Sequence, residues 1–247
     1  MSTEARQTKE ALRKDLKTRL SALSEEEVSR QSTTAQNIIL SLPQYHEAKF
    51  LSIYLSMPVS ETRTDTLVRD ALSKGKQVFV PYIHSVPPPP KETHVGNTRG
   101  RGKAMSMLRL RSVEEYDGLE RDGWGIPHLP TVGMEERENA MGGFGVSSGT
   151  DGNDGGGGES RGGLDLIVVP GVAFDSAMSR MGHGAGFYDS YLTRFCADGR
   201  RKRPFLVGLC LTEQILPVGE ILMQEWDWKV DAVAVGDGRL LTSSSGA

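Results

Sequence analysis

Arg180 opens the run RMGHGAGFYDSYL, in which Gly182, Gly184 and Gly186 alternate with His183 and Ala185 before Phe187, Tyr188 and Asp189. Glycines let a backbone come close to an anion, and a helix start presents N–H groups with no intrahelical partner. The local order is buried strand, glycine loop, amphipathic helix, which is the order used for phosphate binding. Arg180 adds a cation able to grip phosphate with two N–H groups. Asp189, in the first helical turn, is poorly placed to attract phosphate itself. It suits a Mg2+ ion that phosphates share, or a helix-dipole acid. The G-x-G-x-G spacing is neither the Rossmann G-x-G-x-x-G nor the P-loop G-x-x-x-x-G-K-[ST]. On spacing alone, a phosphate cradle and a plain turn stand side by side.

Other chemistry-bearing residues lie elsewhere along the chain. Lys9 and Arg13, four apart, share one face of the first helix, which composition alone makes a solvated face. Asp227 lies between Trp226 and Trp228, an unusual setting for an acid that only decorates a surface, though one a turn residue also occupies. Glu61 follows a strand end, where open parallel sheets carry their ligand loops.

The elements that must position these groups follow from periodicity. Leu12, Leu16, Leu20 and Leu23 recur at helical spacing. Ser24 with Glu27 forms a capping-box pattern that starts a second helix toward Leu42. FLSIYLSM (Phe50–Met57) and QVFVPYI are strand candidates, separated by the helix TRTDTLVRDALSKG with Gly75 as its stop. MSMLRLRS (Met105–Ser112) alternates and suits an edge strand. LDLIVVPGVAF (Leu164–Phe174), PFLVGLC and VDAVAV complete the set. Strands alternating with helices predict βαβ units and a mainly parallel sheet, and strands apolar on both faces predict helices on both sides of it. The expected fold is therefore α/β, a three-layer α/β/α sandwich, with residues 1–247 as one domain.

Two segments interrupt this pattern. Residues 87–103 begin with four prolines and carry Arg99, Arg101 and Lys103. They read as a polar loop whose cations are solvated or meet RNA or phosphate. Residues 142–163 are half glycine. Such a segment buries too little apolar area to offset its ordering entropy, so it reads as a flexible insertion within the domain, with an interdomain linker as the alternative. There are no internal repeats. The net charge of −3 argues against wholesale nucleic-acid binding. Cys196 and Cys210 make no disulfide framework. No apolar run reaches the roughly 18–20 residues of a membrane span. The N-terminal segment lacks an apolar signal core, and Glu4, Glu10 and Asp15 count against a mitochondrial leader. A cytoplasmic protein, away from membranes, is expected.

RMGHGAGFYDSYL closely resembles the R-[LM]-G-x-G-x-G-[FY]-Y-D signature of the 5-formyltetrahydrofolate cyclo-ligases, also called methenyltetrahydrofolate synthetases. Other segments agree in order. KEALRKDL resembles the family's K-x-x-x-R helix, and LSIYLSMPVSETRTDTLV its first strand and Glu-containing loop. GWGIPHLP resembles its W-x-I-P segment, LDLIVVPGVAFD the strand before the signature, and EWDWKVDAV its D-x-x-V-D ending. The resemblance covers most of the chain but omits its first residues, the proline-rich loop and the glycine-rich insertion.

The resemblance implies ATP- and Mg2+-dependent closure of 5-formyltetrahydrofolate to 5,10-methenyltetrahydrofolate, with ADP and phosphate released. The formyl oxygen attacks the γ-phosphate, and N10 then displaces phosphate. Such transfer asks the protein mainly for positioning and charge neutralisation. The resemblance implies that Lys9, Arg13 and the loop Arg180, Met181, Gly182, His183, Gly184, Ala185, Gly186, Phe187 and Tyr188 bind ATP, with Arg180 and Tyr188 catalytic. Met57, Glu61 and Trp124 would hold the folate together with the loop residues His183 to Phe187, and Asp189 and Asp227 would hold the metal. The substrate is 5-formyltetrahydrofolate, with or without a polyglutamate tail, the protein is expected to be a monomer, and no nucleic acid is required. His183 and Ala185 stand where some relatives carry Arg and Lys, which implies weaker binding with activity retained. His183 would regain charge below about pH 6.5. The alternatives are a non-catalytic folate- or nucleotide-binding relative, and a nucleic-acid module built on TRGRGK and the glycine tract.

Overall fold

The computed structural model describes residues 3–86, 102–146, 162–197, 199 and 201–243, with side chains from residue 8 onward. Helix α1 (Thr3–Ser21) and helix α2 (Glu25–Ser41) are followed by a single turn, α3 (Pro43–Glu47). Strand β1 (Phe50–Ile53), helix α4 (Asp65–Ser73), β2 (Gln77–Ser85) and β3 (Lys103–Leu110) come next, then the short α5 (Val113–Asp117). Strands β4 (Leu166–Val169), β5 (Ala173–Phe174) and β6 (Arg180–Met181) lead into helix α6 (Phe187–Cys196). Strands β7 (Phe205–Cys210), β8 (Ala232–Val235) and β9 (Leu240–Thr242) finish the chain.

Seven strands form one sheet in the order β3-β2-β1-β4-β7-β8-β9. The five central strands are parallel, and β3 and β9 close the two edges antiparallel. Alternation along the strands builds two cores. Leu51, Ile53, Val78, Val80, Leu166 and Val168 face α2 and α4. Phe79, Met107, Ile167, Val169, Val233 and Val235 face α6. A parallel sheet buried on both faces requires this doubly apolar pattern. Ser24 caps α2 by accepting the Glu27 N–H at 3.1 Å. The Glu27 carboxylate turns instead to Arg30 and Gln31.

The structure shortens two expected strands. β1 stops at Ile53, because the Tyr54 carbonyl accepts from the Thr64 hydroxyl at 2.7 Å and the chain turns into a loop. The run Leu164–Phe174 is two strands, because Pro170 has no N–H to continue the ladder. β5 leaves the main sheet and pairs antiparallel with β6. The Phe174 ring then fills the space over Gly171 and Gly208, where an added Cβ would lie 2.6 and 2.5 Å from it.

The expected edge strand is β3, and it begins at Lys103, so that residue belongs to the ladder with Ser85. Arg99 and Arg101 lie outside the described residues. The first residues of the glycine-rich segment are ordered: Asn139 N–H donates to Gly143 O at 2.9 Å, and Gly145 N–H to Arg137 O at 2.7 Å. Residues 142–146 thus take part in a hydrogen-bonded turn. Residues 147–161 lie outside the described residues. No helix among the described residues is long and apolar enough to cross a membrane.

Candidate active site

The strand order reverses direction between β1 and β4, since one half of the sheet grows outward through β2 and the other through β7 and β8. Ligand sites in open α/β sheets form at the C-terminal ends of the strands flanking such a point. Buried Gln214 joins the loops there. Its Nε2 donates to Gly171 O after β4 at 2.6 Å, and its Oε1 accepts from Leu211 N after β7 at 2.8 Å. The Thr62 hydroxyl, in the loop after β1, reaches the same oxygen at 3.4 Å.

The loop after β1 presents Glu61. Its Oε2 accepts the Met57 N–H at 2.7 Å, and Tyr54 braces the loop by donating to Thr62 O at 2.8 Å. Burial pushes the Glu61 carboxyl up to about 7, although the Met57 N–H favours the carboxylate. Met57 is half-buried beside it. The loop bearing Trp124 abuts this one, since a Cβ on Gly125 would lie 2.9 Å from the Pro58 ring. Trp124 itself is 77% exposed, so the ligand-free protein does not pack its indole against anything substantial.

The β5–β6 hairpin delivers Arg180 to the glycine loop. Gly184 has φ +104 and Gly186, the residue before α6, has φ +71. Side chains rarely adopt such angles, so glycine is needed for the chain to turn into α6. Arg13, from α1, donates its Nε–H to Gly182 O at 2.9 Å, and its guanidinium covers Gly184. His183 and Ala185 face solvent, while Gly182, Phe187 and Tyr188 are half-buried and Met181 is buried. Loss of surrounding water, with the Arg13 and Arg180 cations, lowers the His183 pKa below 6.5. The ring therefore gains its proton only at a more acid pH than its unperturbed value suggests.

Two cation–acid pairs line this loop. Arg180 Nη2 donates to Asp189 Oδ1 at 2.6 Å, with side chains 4% and 17% exposed. Lys9 Nζ meets Asp227 Oδ2 at 3.0 Å, with side chains 11% and 15% exposed. At this burial the pairs are largely desolvated, unlike surface ion pairs. Backbone groups fix both acids: Trp228 N–H donates to Asp189 Oδ1 at 3.0 Å, and Gln224 N–H to Asp227 Oδ2 at 2.9 Å. The Trp228 indole donates to the Thr193 hydroxyl at 3.0 Å, which ties the EWDW turn to α6. Asp189 Oδ2 and Asp227 Oδ1 accept no hydrogen bond among the described residues. Two carboxylates with one oxygen each to spare fit a Mg2+ that completes its shell with phosphates and water. No group of three acids, histidines or cysteines able to hold a metal alone occurs among the described residues.

The 5-formyltetrahydrofolate cyclo-ligase family model matches residues 5–236. The chain belongs to the 5-formyltetrahydrofolate cyclo-ligase family. The mouse 5-formyltetrahydrofolate cyclo-ligase is 35% identical over 229 residues, covering 93% of this chain and 94% of its own. A Schizosaccharomyces pombe protein named a probable 5-formyltetrahydrofolate cyclo-ligase is 32% identical, covering 91% and 93%. The NMR structure of Aquifex aeolicus 5,10-methenyltetrahydrofolate synthetase superposes with a TM-score of 0.62 at 26% identity, covering 97% of this chain and 94% of that one.

This cyclo-ligase chain brings Lys9, Arg13, Arg180, Asp189 and Asp227 into one cluster, and Glu61 lies within electrostatic reach of Tyr188 at its edge. Sequence reasoning did not find Gln214, which carries no motif in LTEQIL, nor Tyr54. The signal for Gln224 and Trp228 was present in QEWDW, since a turn residue flanked by tryptophans must be held by its neighbours.

Proposed function

We propose that this chain uses ATP and Mg2+ to close 5-formyltetrahydrofolate to 5,10-methenyltetrahydrofolate, releasing ADP and phosphate. The observation that carries the reading is the glycine loop at the sheet's switch point, bounded by two buried cation–acid pairs on one side and a buried carboxyl on the other. No protein nucleophile is needed on this reading. Membership of the cyclo-ligase family supports the same reaction, and no observation favours a non-catalytic relative.

On this reading Lys9, Arg13 and Arg180 bind the triphosphate, and the N–H groups at the start of α6 face the γ-phosphate. Residues Met181 to Tyr188 wrap it. Asp189 and Asp227 hold Mg2+, which when bound neutralises phosphate charge and so favours attack at phosphorus. Glu61 accepts N–H groups from the pterin edge, while Met57 and Trp124 cover its faces and His183 to Phe187 border the formyl group. The formyl oxygen attacks the γ-phosphorus and ADP leaves. N10 then attacks the formyl carbon, the C–O bond to phosphate breaks, and N10 loses its proton. We place this activity in a cytoplasmic monomer that accepts folate with or without a polyglutamate tail. Mixing the protein with 5-formyltetrahydrofolate, Mg2+ and ATP tests it: methenyl absorbance should rise only when ATP is present. A well-folded protein that gives no ATP-dependent signal would refute the proposal.

A further inference from the structure

Tyr188 and Tyr191 lie one turn apart on α6, and each hydroxyl is buried without a hydrogen-bond partner among the described residues. Burying an unpaired hydroxyl is costly, so each needs a reason. Tyr191 sits in the core against Phe195, with ring centroids 5.7 Å apart, and its charged neighbours are Arg194 and Arg201.

Tyr188 is placed differently. The Arg180 guanidinium lies 5.9 Å from its ring centroid. Glu61 and Tyr54, from the other side of the site, are close enough for their charges and its own to interact. Its ring thus lies beside the group assigned to the phosphate side, and its hydroxyl is within electrostatic reach of the group assigned to the pterin side. On the folate reading, the formyl group must lie between them for its oxygen to reach phosphorus. A carbonyl oxygen has two lone pairs, so one can accept from a phenol while the other attacks.

We propose that the Tyr188 hydroxyl donates a hydrogen bond to the formyl oxygen and so selects N5-formyl over N5-alkyl folates. The assignment rests on the folate reading of the site. It explains why the hydroxyl is left unpaired without ligand: its acceptor belongs to the substrate. Tyr188 is then a specificity-determining residue, and Tyr191 has no part in the discrimination.

The test titrates 5-formyltetrahydrofolate and 5-methyltetrahydrofolate into wild type, Tyr188→Phe and Tyr191→Phe by calorimetry, without ATP. Wild type should prefer the formyl compound. In Tyr188→Phe that preference should shrink about tenfold or more, with affinity for the methyl compound unchanged. A non-hydrolysable ATP analogue should lose less affinity in Tyr188→Phe than 5-formyltetrahydrofolate does, because the backbone and ring that border the triphosphate are kept, and Tm should not fall. Tyr191→Phe should keep the wild-type preference. An unchanged preference in Tyr188→Phe overturns the assignment, as does an equal loss in Tyr191→Phe. A loss confined to the ATP analogue, or a Tm several degrees lower, also overturns it, by showing a nucleotide or structural partner for the hydroxyl. Wild type that binds neither compound overturns the folate reading and the assignment with it.

Discussion

Glu61 combines a buried carboxyl with a single backbone donor, and that combination makes it pH-sensitive. Its folded pKa, about 7, lies above its unperturbed 4.5. The folded state therefore holds the proton more tightly than the unfolded one. Stability from this group is fully present below about pH 4.5 and is lost as pH rises through about 7, a change of about 3 kcal/mol. Glu61→Gln should flatten urea-melt stability across that window and be the more stable protein at pH 8, while its affinity for 5-formyltetrahydrofolate falls about tenfold. Asp189 makes the opposite case. Asp189→Ala strands the Arg180 guanidinium among buried groups, so stability should drop by about 3 kcal/mol or more in the same melts. Cyclisation should be nearly abolished at saturating Mg2+ and ATP. An active Asp189→Ala protein would remove the metal role.

At the scale of elements, Gly186 decides where α6 begins. Gly186→Ala puts a Cβ at φ +71 and should cost about 1–2 kcal/mol. For a chain of this length Tm should fall by about 2–8 °C. Because the same change tilts the loop, the ATP KM should rise more than the folate KM in steady-state assays. The glycine spacing that predicts this loop was legible in the sequence, as were helices α1, α2, α4 and α6, the edge position of β3 and the doubly apolar central strands, while α3, α5 and the antiparallel sense of β3 were not. These are local patterns, written within a few residues. Partnership was not legible. Nothing within RMGHGAGFYDSYL announces that Arg180 will take Asp189, and nothing in KEALRKDL announces that Lys9 will reach Asp227 across more than two hundred residues. Gln214 was hidden for the same reason: beyond its own loop its partners are Gly171, Val172 and Thr62, from two loops that only the finished sheet brings together. Pro170 was visible, but a proline inside an apolar run does not say by itself where the chain goes next.

For the whole molecule, the described part of the glycine-rich segment joins the fold, with Val146 packed against the first core. Gly142 and Gly162 are in backbone contact, and Asn139 and Arg137 hold the turn between them and Val146. Replacing residues 147–161 by a Gly–Gly–Ser bridge should leave kcat unchanged and stabilise the protein by about 1 kcal/mol through the shorter loop. Thermal melts and the cyclisation assay on the shortened chain check both.

The two ion pairs of the site carry a further consequence. Arg180 with Asp189, and Lys9 with Asp227, mean that the ligand-free pocket supplies its own counter-ions. Desolvated pairs of this kind can be replaced by well-packed apolar groups at no loss of stability, or with a gain. On the proposed reading of the site, their presence is an exchange reserve. A nucleotide that arrives with its metal is itself an anion joined to a cation, and it can trade partners with the pairs while the total charge in the pocket stays balanced. A protein built this way need not bury a bare charge before or after its substrate binds.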